Sequence, residues 1–172
     1  MTHIIVVRHD HVPGISPERF RGRTELELTE LGVAQAHATA GYVARQWRPT
    51  AAYTSPMGRC VSTGRQIAGA CGVPARVLPQ LNDLDYGAWR GKTHDEARQA
   101  WPDEYRLWRR SPQLARFPDG ESLQDLPTRT ADGLRFALNH HTGDTIVFVG
   151  HNSSNRTLLL QILALPLSAF GT

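Results

Sequence analysis

Three short apolar runs in this sequence end on residues that could do chemistry. Ile4-Ile5-Val6-Val7 runs into Arg8-His9-Asp10-His11, and Ala51-Ala52-Tyr53-Thr54 into Ser55-Pro56, with Arg59 in the following helical turn. Thr145-Ile146-Val147-Phe148-Val149 runs into Gly150-His151-Asn152. In open parallel sheets, ligands sit outside the carboxyl ends of the strands. If these three strands are neighbours, His9, His151, Arg8 and Arg59 converge on one crevice. Singly, a histidine after a strand reads as a turn or capping residue. Four potential cations stripped of water together require an anion. A phosphoryl group fits, because guanidinium forks match its oxygens bidentately and stay charged at any working pH. The chemistry would then be in-line attack by a neutral imidazole on phosphorus, with an acid protonating the leaving oxygen. Water would hydrolyse the phosphohistidine, the same acid acting as base. No metal is needed for these steps.

The elements that must position these groups alternate along the chain. The continuous β-branched run at 4–7 fits a strand buried on both faces. Thr29 can cap a helix over 30–46, in which Leu31, Ala34, Ala38, Tyr42 and Val43 recur at helical spacing. Pro56 suits the first turn of a helix running to about residue 71, where Gly72 can end it. Val77-Leu78 reads as a third strand, followed by a long irregular loop over 80–92. Thr93 with Glu96 forms a capping box, and Ser122 with Asp125 starts a helix reaching about 140. The last helix is expected over 153–164. Strand and helix in alternation predict an α/β fold, a three-layer αβα sandwich with a mainly parallel central sheet.

At 172 residues, 40% hydrophobic and 20% charged, the chain is sized for a single domain with one active site. The net charge is only +3 and is dispersed, which argues against nucleic acid as a partner. The densest basic group, Arg106, Arg109 and Arg110, alternates with Trp101, Tyr105, Leu107 and Trp108 as in an amphipathic helix. Cys60 and Cys71 lack the spacing of a zinc site or a disulfide framework. No run approaches the length of a membrane span and no leader precedes the first strand, so a cytoplasmic location without a membrane partner is expected.

Five segments, in order, resemble the histidine phosphatase superfamily, the phosphoglycerate-mutase-like group that forms a phosphohistidine. They are Arg8-His9; Arg19-Phe20-Arg21-Gly22 with Leu28-Thr29-Glu30-Leu31-Gly32; Thr54-Ser55-Pro56 with Arg59 and Thr63; Leu81 to Gly91 followed by Gly120-Glu121-Ser122; and Gly150-His151-Asn152 with Arg156. The resemblance covers nearly the whole chain. It implies His9 as nucleophile, Arg8, Arg59, His151 and Asn152 around the phosphate, and Asp83 as acid/base in place of the family's Glu. Asp85 competes weakly for that last role, and Arg23 and Glu121 are implied to touch substrate. The implied activity is a phosphomonoesterase on a small phosphorylated metabolite, without cofactor or metal, with segment 93–118 as a lid over the leaving group.

The sequence also departs from the family. Asp10 replaces the glycine beside the nucleophile, Asn152 replaces the glycine after the second histidine, and Val12 and Ile15 stand where a hydroxyl residue and an asparagine are usual. These motivate a catalytically weak, phospho-ligand- or protein-binding alternative, beside a mutase-type phosphotransferase. A metal site on His9, Asp10, His11 and His151 is disfavoured because no carboxylate cluster flanks them. Family members usually continue past this C-terminus, so either a naturally short domain or a truncated one is implied. An uncovered sheet edge would then be open to homodimer contact, an expectation that a strictly monomeric species at high concentration would contradict.

Overall fold

The computed structural model describes residues 1–171; Thr172 lies outside them. Four short runs form strands β1 (His3–Arg8), β2 (Ala51–Thr54), β3 (Ala75–Val77) and β4 (Thr145–Gly150). These make one sheet in the order β1-β4-β2-β3, with every pairing parallel. Because β4 lies between β1 and β2, the three chemistry-bearing strand ends finish side by side. Arg8 pairs with Gly150 and Thr54 with Val149. One hydrogen bond beyond each ladder fixes the next residue: His9 N–H donates to Gly150 O at 3.0 Å, and Ser55 N–H to Val149 O at 2.9 Å.

Residues of β4 alternate between two dry faces. Val147 and Val149 pack under α1 (Glu30–Gln46) and α2 (Gly58–Cys71), and Ile146 and Phe148 pack under α5 (Asp125–His140) and α6 (Asn152–Ile162). All four of these side chains are fully buried, which accounts for the unbroken apolar run. The result is the expected αβα sandwich.

Thr29 caps α1 as expected, accepting from Gly32 N–H at 3.1 Å. The buried stripe is Gly32, Ala36, Ala40 and Val43, however, while Leu31 and Tyr42 are 55% and 53% exposed. Small residues face inward because α1 lies close to its neighbours. A Cβ on Gly32 would stand 2.1 Å from His11 O. Of the expected stripe only Val43 is buried, and Leu31, Ala34, Ala38 and Tyr42 are exposed.

Other boundaries shift by a few residues. Helix α2 starts at Gly58, with Met57 still extended, and ends at the left-handed Gly72. The third strand is Ala75–Val77, after which Pro79 opens a 3-10 turn. The last helix stops at Ile162. Segment 93–118 holds two helices, α3 (His94–Ala100) and α4 (Pro102–Arg110), broken where Pro102 lacks the N–H a continuous helix would use. The Thr93–Glu96 capping box is present. Tyr105 and Trp108 turn inward onto Phe20 and Trp89, forming with Phe117 a second, aromatic core beneath this segment. Cys60 and Cys71 are both free and lie near opposite ends of α2. No helix among the described residues is long and apolar enough to cross a membrane.

Candidate active site

A cavity of about 300 Å³ opens at the carboxyl end of the sheet, and Arg8, His9, Arg59, Asp83 and Asn152 are all on its wall. His9 follows β1 directly. Its Nδ1 lies 2.8 Å from the carbonyl oxygen of Asp10, so that nitrogen carries the proton and donates it. The lone pair is therefore left on Nε2, the nitrogen a phosphorus atom would meet. Burial pushes the His9 imidazole down to about 3, with the positive Arg59 and Arg8 adding to the effect against the Asp10 carbonyl. The ring is neutral, hence nucleophilic, across the physiological range.

Arg59 comes from the first turn of α2 and is fully buried. Its Nη1 donates to Thr24 O and its Nη2 to Gly22 O, both at 2.7 Å. Gly22 must be glycine here: φ is +49°, and a Cβ would come within 2.6 Å of Leu84 O. The Nε–H groups of Arg59 and Arg21 are buried with no acceptor among the described residues. Such donors are costly unless an anion takes them up. Six arginines, Arg8, Arg19, Arg21, Arg59, Arg109 and Arg156, line the cavity against two carboxylates, Glu18 and Asp83. The first residues of α6, Asn152 and Ser153, add the positive end of a helix.

Asp83 projects from the loop after β3 and is 8% exposed. Its Oδ1 accepts from Leu84 N–H at 2.9 Å and from the Ser153 hydroxyl. Its Oδ2 lies 3.5 Å from Arg59 Nη2. Burial raises its affinity for a proton above the usual carboxylate range, and Ser153 and Arg59 only partly offset this. A carboxyl whose proton affinity is raised beside a nucleophilic histidine is suited to general-acid work.

Three expected site residues are placed elsewhere. Arg23 and Glu121 are not on the cavity wall. Arg23 Nη2 donates to Glu121 Oε1 at 2.5 Å and its Nε to Asp83 O at 3.2 Å, so the two brace the Asp83 loop from outside. The backbone here is packed against backbone: Gly87 has φ +50°, and a Cβ on it would come within 2.0 Å of Pro118 O. His151 is 1% exposed and stands behind the wall. Arg59 Nη2 donates to its Nδ1 at 3.2 Å, so Nε2 carries the proton and donates to Ser55 Oγ at 2.8 Å. Burial and the Arg59 charge hold the His151 ring neutral. Asp85 also lies off the wall, paired with Arg90 at 2.8 Å.

The departures at 10, 12 and 15 are accommodated. Asp10 turns away from the cavity, its carboxylate accepting from Thr63 Oγ1 at 3.0 Å. Val12 is buried, and Ile15 lines a neighbouring hollow on the other side of His9. No three His, Cys, Asp or Glu side chains among the described residues are grouped as a metal would need.

Sequence reasoning missed Arg21, Ser153, His94 and Arg129. Arg21 lies in the quoted Arg-Phe-Arg-Gly segment, and Ser153 is two residues beyond His151, so position could have flagged both. His94 lines the cavity and tilts over Phe20, with Nδ1 3.1 Å from Tyr105 Oη. Arg129 donates to the carbonyls of Gln80, Asn82 and Asp83 and to Glu121. It fixes the Asp83 loop from α5, a contact no local motif signals.

The chain is similar to known phosphatases in sequence and to solved structures in fold. Phosphoserine phosphatase 1 of Hydrogenobacter thermophilus is 28% identical over 170 residues, spanning 99% of this chain and 80% of that protein. The metal-independent phosphoserine phosphatase of Arabidopsis thaliana is 30% identical over 164 residues, 94% of this chain and 69% of that one. The solved structure of Bacillus stearothermophilus YhfR superposes with a TM-score of 0.90 at 28% identity, covering 99% of this chain and 84% of that one. A family description, the histidine phosphatase superfamily (branch 1), matches residues 4–172, and the chain belongs to that family.

Proposed function

We propose that this histidine phosphatase is a metal-independent phosphomonoesterase that cleaves a small phosphorylated metabolite through a phosphohistidine on His9. The observation that carries the proposal is the His9 tautomer: Nδ1–H is tied to the Asp10 carbonyl beside a cavity with six arginines. In the first step His9 Nε2 forms a bond to phosphorus as the P–O bond to the leaving group breaks. Arg8, Arg21 and Arg59 stabilise charge on the equatorial oxygens. Asp83 supplies the proton the leaving oxygen takes up. In the second step Asp83 removes a proton from water as its oxygen attacks phosphorus, the N–P bond breaks, and inorganic phosphate leaves.

His151 acts in this scheme through Arg59, which it holds in place. Asn152 sits at the mouth of the phosphate site, and Arg23 and Glu121 keep the Asp83 loop in position. Segment 93–118 serves as the lid of a single-domain enzyme, with His94 and Trp108 against the leaving group. The cytoplasm is the compartment this reading implies, and pairing of two copies at an open sheet edge is compatible with it.

A panel of phosphorylated small molecules assayed on wild type and Asp83→Asn tests the proposal. The variant is expected to lose about 100-fold in kcat/KM on alkyl phosphates, the low end of what general-acid catalysis supplies. The wild-type kcat/KM should fall on the alkaline side, because the acid form of Asp83 is consumed as pH rises through its raised pKa. Unchanged rates in the variant across the panel would contradict the assignment.

A further inference from the structure

We propose that Ser153 is a further catalytic residue of this site, its hydroxyl passing the proton between Asp83 and the oxygen of the leaving group. The proposal rests on the phosphomonoesterase reading and deepens it. It starts from what surrounds the Asp83 carboxyl. Leu84 N–H and Arg59 Nη2 approach it only as donors, and neither can receive its proton. His151 Nδ1 is 3.6 Å from Oδ2 and already accepts from Arg59. The Ser153 hydroxyl, bonded to Oδ1, can both donate and accept. A proton on Asp83 Oδ1 is therefore directed at Ser153 Oγ, and the Ser153 O–H is released toward the cavity.

Ser153 is placed for this. It is the second residue of α6, only 4% exposed, yet it lies on the cavity wall with His9 and Asn152. Aspartate is one methylene shorter than glutamate, and the serine hydroxyl supplies the missing reach. In the first step the leaving oxygen takes the Ser153 proton as the P–O bond breaks, and Ser153 Oγ takes the Asp83 proton, so the only net change in the relay is an ionised Asp83. In the second step Ser153 Oγ accepts the proton of the attacking water while its own proton returns to Asp83, which restores both groups.

A purely structural serine would behave differently. The helix contact at this position is made by the backbone, where Ser153 O accepts from Thr157 Oγ1 at 2.9 Å, and Ser153→Ala leaves it intact. The test compares two substrates on one protein: glycerol phosphate, whose alkoxide cannot leave unprotonated, and p-nitrophenyl phosphate, whose phenolate can. Ser153→Ala is expected to lose about 100-fold in kcat/KM on glycerol phosphate and less than about threefold on p-nitrophenyl phosphate. Asp83→Asn/Ser153→Ala should be no slower than Asp83→Asn alone, since both remove the same relay. Equal losses on the two substrates, no loss on either, or multiplied losses in the double variant would overturn the proposal. A wild type that hydrolyses neither ester would overturn the phosphatase reading itself, an outcome distinguishable from failure of the relay.

Discussion

His9→Ala is expected to reduce phosphatase turnover to the uncatalysed level on every ester, good leaving groups included. The nucleophile is the one group for which no neighbour can substitute. His151 is the nearest other imidazole, its ring centroid 5.2 Å away, but its Nδ1 accepts from Arg59 and its Nε2 donates to Ser55. Cys60 is fully buried, and burial raises its thiol far out of the range where it would ionise. The fold should survive the change, because His9 is anchored by its backbone N–H to Gly150 O and not by its ring alone. His9 is buried as a neutral ring with its pKa depressed from 6.5 to about 3, which has a further consequence for stability. The unfolded chain binds this proton first as pH falls. The wild type therefore loses stability between about pH 6.5 and pH 3, and the variant should lose less over that window. Circular-dichroism melts of the two proteins across this range, beside the activity assay, measure both effects.

Arg59→Lys is expected to lower kcat/KM by about 100-fold, in the range found when a preorganised charge-stabilising donor is removed. Charge is retained, so the loss isolates geometry. The guanidinium spends Nη1 on Thr24 O and Nη2 on Gly22 O, His151 and Asp83, and still has a buried Nε–H for a phosphate oxygen. An ammonium is a point charge with three donors on a flexible stem and cannot meet these directions at once. A lysine variant retaining near wild-type kcat/KM would show that Arg59 is a structural bridge between α2 and the loops and not a phosphate ligand.

Much of this arrangement was legible because strand ends and ligand sites are coupled in parallel sheets. The runs at 51–54 and 145–149 are buried, whereas the run at 4–7, expected to be buried on both faces, forms the half-buried edge strand β1; the polar residue that follows each one marks where the sheet meets the site. Order in the sheet was not legible from periodicity. That β4 lies between β1 and β2 is a tertiary fact, and it is what brings His9 and His151 into ring contact.

The parts that were misread share a cause: local pattern does not encode close approach. The spacing of Leu31, Ala34, Ala38 and Tyr42 on α1 points to a face that is exposed, whereas the face in contact with α2 and with His11 carries glycine and alanine beside Val43. Arg23 and Glu121 were assigned to substrate because they lie in motifs, yet they pair with each other and with Asp85 and Arg129 across residue separations the sequence does not advertise. Asp10, in place of the family's glycine beside the nucleophile, is a carboxylate next to a phosphate site. Its neutral partner, Thr63, sits one helical turn beyond Arg59 and turns it aside.

The phosphoenzyme itself is the most direct test of the central claim. Wild-type protein mixed with a radiolabelled phosphomonoester and quenched within the first turnover should carry covalent label on His9 that survives alkali and is lost in acid, and His9→Ala should carry none. Turnover by wild type with no trapped label at any quench time, or label that is stable in acid or maps to another residue, would contradict the account.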